Sequence, residues 1–151
     1  MVNKSGYGLF VCLGGLVAIA GLGCQVSSGG GGGGAGSSTL LSVSSVSIPA
    51  GSDALALGFE AEEGREVVVT VTADTDRADP DLQVVIGDVN LDELDDVPIG
   101  DLVLVSTDRD SPQESGSFTP DADGPFTLFI TEASDFDFLD ISYSVTVTQR
   151  D

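Results

Sequence analysis

The sequence predicts an all-β fold, a two-sheet sandwich of about eight strands. Three observations predict it. From about Thr39 onward apolar residues recur with period two, the mark of half-buried strands. Proline and glycine turn signals interrupt these runs often. No stretch past Cys24 keeps a sustained helical spacing, and Leu91 to Val97 is expected to form one turn.

The strands follow from this alternation. Glu66 to Ala73 puts Val67, Val69, Val71 and Ala73 on one face, with Val68, Thr70 and Thr72 on the other. Leu82, Val84 and Ile86 form one face of the next strand, and Phe126, Leu128 and Ile130 one face of another. In the last strand Ile141, Tyr143, Val145 and Val147 face inward and Ser142, Ser144, Thr146 and Thr148 outward. Shorter strands are predicted over Leu40–Ile48, Leu55–Phe59, Leu102–Ser106 and Gly116–Phe118. The core is expected around Val69, Leu82, Val84, Leu128, Val145 and Val147. Turns are expected at Pro49-Ala50-Gly51, Ala78-Asp79-Pro80, Ser111-Pro112 and Asp123-Gly124-Pro125.

Two segments precede this domain. Residues 1–23 begin with a short cationic stretch ending at Lys4 and continue as the apolar run Leu9–Gly23. Fifteen residues rise only about 22 Å as a helix, short of a hydrocarbon core of roughly 30 Å. A cationic start, a short apolar run and small residues at its end describe an export signal. Residues 24–38 contain the run SSGGGGGGAGSS. Nothing in it can pack, so it reads as a flexible tether with a reach of roughly 20–27 Å. A phosphate-binding reading of these glycines fails, because a strand should precede them and a helix follow. Residues 39–151 form the expected sandwich.

Ala20-Gly21-Leu22-Gly23-Cys24 resembles the lipobox of bacterial lipoproteins, with leucine one place late. The resemblance implies cleavage after Gly23 and a diacylglyceryl group on the Cys24 sulfur. Each buried methylene contributes roughly 0.8 kcal/mol, so several acyl chains hold firmly. Gln25 after the cysteine implies the outer membrane of the cell envelope where the organism has one.

Composition excludes whole classes of function. The chain carries 25 acidic residues against five basic ones, for a net charge of −20. Such a surface repels nucleic-acid phosphates. Histidine is absent, the only lysine is Lys4, and Cys12 and Cys24 are the only cysteines. Past Cys24 this removes Ser–His, Cys–His, Ser–Lys and His-bearing zinc sites, leaving only carboxylate pairs. A small sandwich rarely offers the cleft that such a pair needs, so no catalytic activity is expected.

The remaining chemistry is cation binding. Asp74, Asp76, Asp79 and Asp81 crowd a turn between two strands. Calcium takes six to eight oxygens in loose geometry, which suits alternating aspartates on a bent loop. The cluster lacks the glycine and closing glutamate of an EF-hand, and solvated loop charge is the alternative. Asp135, Asp137 and Asp140 repeat the pattern more weakly, and Asp92, Glu93, Asp95 and Asp96 read as solvated loop.

The stretch from about Asp53 to Val147 resembles the bacterial pre-peptidase C-terminal domain. The resemblance rests on Leu57-Gly58-Phe59, Glu63-Gly64-Arg65, the Val67–Thr72 strand and Asp79-Pro80-Asp81-Leu82. It rests also on Phe118-Thr119-Pro120, Asp123-Gly124, Phe126–Ile130 and Tyr143–Val147. Before Phe59, where that family has Asp and aromatic residues, this chain has Leu55, Ala56 and Leu57. The resemblance implies a jelly-roll-like sandwich, often a non-catalytic appendage of secreted proteases, with calcium at sandwich loops in some members. The expected function is that of a membrane-tethered envelope lipoprotein, a binding or structural module for an envelope protein or glycan. The alternative is an accessory domain serving a separate secreted hydrolase.

Overall fold

A computed structural model describes residues 36–48, 54–108, 111–133 and 141–151. Eight strands form: β1 (Ser38–Val46), β2 (Ala54–Ala61), β3 (Glu66–Ala73), β4 (Pro80–Ile86), β5 (Leu102–Ser106), β6 (Gln113–Phe118), β7 (Gly124–Glu132) and β8 (Tyr143–Arg150). They make two antiparallel four-stranded sheets, ordered β1-β8-β3-β6 and β2-β7-β4-β5. The pairs β1–β8, β2–β7, β3–β6 and β4–β5 are nested, as if one long hairpin had been rolled up. That order is a jelly roll, the fold the sequence predicts.

The rolled hairpin sorts the connections into two groups. Ser38 pairs with Gln149 and Glu66 with Arg150, so the start of β1 and the end of β8 share one end of the sandwich. The β2–β3, β4–β5 and β6–β7 connections meet there, tied by a hydrogen bond from the Gly64 N–H to the Pro120 carbonyl (2.9 Å). The β3–β4 turn and the other ends of the strands lie at the opposite end, where Val46 and Ala73 both pair with Tyr143.

Period-two alternation builds the core between the sheets. Val69, Leu82, Val84, Leu128, Val145 and Val147 are all fully buried, as their alternation predicts. Phe126 stacks on Phe59 (ring centroids 5.7 Å apart) and tilts against Phe118 of the other sheet (5.3 Å). Such offset pairs add to area burial. Ile86 differs from expectation: at 47 % exposure it points to the core side but sits at the strand end, beyond cover. Gly124 and Pro125 belong to β7 itself, not to a turn. The Pro49-Ala50-Gly51 signal lies outside the described residues.

The second sheet is covered on its outward face as well. Val85 and Phe129 are buried yet stand outside the inter-sheet core. The β4–β5 connection is fastened over this side by Thr127. Its hydroxyl donates to the Gly87 carbonyl (2.8 Å) and accepts the Val89 N–H (3.0 Å). This connection holds two short 3₁₀ helices, Leu91–Asp96 and Ile99–Asp101, the first in contact with β2. The Glu93 carboxylate caps the first by accepting the Asn90 N–H (3.0 Å), a satisfied terminus of the kind such acids supply.

Candidate functional site

The four aspartates singled out in the sequence sit at the end of the sandwich opposite the start of β1. Asp74 follows β3, Asp76 is exposed on the turn, Asp79 precedes β4 and Asp81 is the second residue of β4. Backbone groups engage two of them. Asp74 Oδ1 accepts the Ser142 N–H (3.2 Å), and Asp79 Oδ1 accepts the Ser111 N–H (3.3 Å). These bonds tie the β3–β4 turn to its neighbouring connections. Among the described residues no three acids are grouped so as to hold a metal ion. Cys24, the leader and Asp135, Asp137 and Asp140 lie outside the described residues.

Two glutamates that sequence reasoning passed over are central to this end. Glu114 of β6 pairs with the inward-facing Val71, so its side chain enters the sandwich, and it is 1 % exposed. Its carboxylate accepts the Ser106 hydroxyl and the Asp108 N–H (2.9 Å). A buried charge costs several kcal/mol unless paired or hydrogen-bonded, and these donors supply the bonds. Glu132 at the end of β7 accepts the Tyr143 hydroxyl (2.5 Å) and the Asp79 N–H (2.6 Å). Each glutamate therefore joins one sheet to the other. A signal for Glu114 existed in its even spacing from Phe118, which alternates toward the core.

The electrostatics follow from crowding. The Asp81 carboxyl is raised above its ordinary range by burial first, then by Asp79, Glu114 and Glu132. The Tyr143 phenol is pushed far up, by burial first and then by its bond to Glu132. Desolvation and like charge both disfavour the ionised acid, which explains the common direction.

The opposite end is closed by a buried amide. Gln149 continues the inward series of β8 and is fully buried. It donates to the Glu62 carbonyl (2.7 Å) and accepts the Glu62 N–H (3.3 Å). Beside it Arg65 bridges Glu62 (2.8 Å) and Asp151 (2.6 Å). The buried polar side chains of the described strands thus staple strands and turns. Chemically, the arrangement offers carboxylates and amides as hydrogen-bonding groups.

No protein-family model matches the chain, and no curated protein matches it.

Proposed function

We propose that the chain is a non-catalytic, lipid-tethered envelope protein whose jelly roll serves as a binding or structural module. One observation carries this reading. The Gly/Ser run enters the domain at Ser38, at one end of the sandwich, while the β3–β4 turn and the starts of β2, β6 and β8 lie at the other. A domain held through Cys24 would turn that far end away from the lipid surface, toward an envelope protein or glycan. The lack of histidine, and the use of Glu114 and Glu132 as inter-sheet staples, support a non-catalytic role.

The test is fractionation of cells carrying the wild-type chain or Cys24→Ser. The wild-type protein is expected in membranes and extractable by detergent, and the variant in the soluble fraction. A wild-type protein found soluble would end the lipoprotein reading.

A further inference from the structure

The outward faces of the two sheets differ. That of the β2-β7-β4-β5 sheet is covered, with Val85, Thr127 and Phe129 buried. That of the β1-β8-β3-β6 sheet is open. Val69, Val71, Val145 and Val147 of β3 and β8 turn inward, so the residues between them form its outward face. Ser42, Thr146, Thr70 and Ser115 stand in one row across all four strands. In the row on one side Thr148 and Ser117 flank Val68, and in the row on the other Ser144 and Gln113 flank Thr72. Each of these side chains is exposed or half-buried.

In a chain of net charge −20 none of these positions carries a charge. Charges begin only at the two ends of the face, with Glu66 opposite Arg150 and Asp74 beside Ser142. Solubility alone would be served by acids here as it is on the turns. Among the described residues none of the hydroxyls in these rows bonds to another protein group. Each can both donate and accept, as a sugar hydroxyl can.

Partner classes sort by charge and by anchors. A polyanion is repelled by the body of the chain, and a cation is drawn to the carboxylates rather than to these rows. A protein partner is gripped by aromatic or arginine anchors at the centre of an interface, and here the only apolar side chain is Val68. We propose that this face binds an uncharged polysaccharide through its serine and threonine rows, which names the partner of the binding module proposed above and rests on that reading. The rows hold no aromatic ring for a sugar to stack on, so a single sugar gains little and a polymer is required. Strands lie about 4.8 Å apart and alternate residues of one strand roughly 6.7 Å apart, so weak contacts recur along a bound chain and reinforce one another.

Retention of the full, detergent-extracted chain on amorphous cellulose, mannan and cross-linked dextran tests this, with polygalacturonate as the anionic counterpart. Retention on at least one neutral polymer is expected, unchanged between about 0.01 M and 1 M salt, a range over which charge attraction would be screened away. Polygalacturonate should retain none at low salt. Thr70→Val with Thr146→Val removes two central hydroxyls and keeps the β-branched shape. Retention should then fall about tenfold, as the loss of two neutral hydrogen bonds predicts, without a lower melting temperature. Val105→Thr, on the outward face of the other sheet, should leave retention intact. The Cys24→Ser chain should bind as the wild type does, which separates this proposal from the anchoring. Failure on every neutral polymer, equal retention on polygalacturonate, or retention that the valine pair leaves unchanged overturns the proposal. Capture of an envelope protein that the valine pair abolishes, with no polymer retained, overturns it in favour of a protein partner.

Discussion

The Tyr143 hydroxyl donates to Glu132 Oε2 at 2.5 Å, joining the first residue of β8 in one sheet to the last residue of β7 in the other. Removing the hydroxyl leaves a half-buried carboxylate short of a donor. Tyr143→Phe should cost about 1.5–3 kcal/mol, the range for a hydrogen bond to a charged group, read as a lower urea midpoint at unchanged m-value. The phenol also gives a pH signature. Its folded pKa is raised, so the folded state keeps the proton when the unfolded one loses it. Its contribution is whole below about pH 10 and fades as pH rises beyond. Wild-type stability should fall more steeply than that of Tyr143→Phe above that pH.

Asp81 predicts the opposite response to mutation. Its carboxyl is raised by burial, Asp79, Glu114 and Glu132, so the folded state binds the proton more tightly than the unfolded chain. The contribution is favourable below the unfolded value near pH 3.9 and is lost as pH rises through the folded one. Asp81→Asn should therefore stabilise the domain at pH 7, with the gain shrinking toward pH 3. A gain that is equal at both pH values would assign it to something other than charge.

Gly116 lies under Leu104 of the other sheet. A Cβ built on Gly116 would stand 2.7 Å from Leu104 Cδ1 and 3.3 Å from its Cγ. Overpacking of this kind costs about 1–3 kcal/mol. Leu104 is only partly buried and its side chain can swing aside, so Gly116→Ala should lose at most that much by denaturant melt, and the loss should shrink in a Leu104→Ala background. A double-mutant cycle measures the coupling.

Calcium and magnesium separate ion binding from screening. Asp74 and Asp79 already accept backbone N–H groups, and no three acids among the described residues are grouped for a metal. The two ions at equal ionic strength should then raise the melting temperature alike, through screening of like charge. A larger shift with millimolar calcium, abolished by Asp79→Asn with Asp81→Asn, would assign an ion to this turn.

The strands were legible because alternation with period two marks an extended chain with one face turned to a core. Leu102–Ser106 agrees at both ends, and the six residues expected at the centre of the core are all buried. Alternation reports which side a residue faces, not whether anything lies above it. Hence Ile86 faces inward but is uncovered, while Phe129 faces outward and is buried. Polar residues in the core were hidden for a related reason. Gln149 and Glu114 occupy inward positions, but their partners are the Glu62 backbone, Ser106 and the Asp108 N–H. Those partners are brought near by the fold, and nothing in the local spacing announces them. The same holds for the aspartates. Their density in sequence suggested convergence, whereas the turn spends Asp74 and Asp79 on neighbouring connections.

The nested strand order also decides how the domain bears a pull. The first and last strands are neighbours, and both chain ends leave from one end of the sandwich. Tension between the two termini would open the β1–β8 ladder from Ser38 and Gln149 inward, one bond after another, like a zipper. Tension between Ser38 and the far end of the sandwich runs along the strands instead. Ladder bonds lie across the strands, so that pull loads the whole row together in shear. A domain gripped at its far end and held at Ser38 is thus strained in its stronger direction.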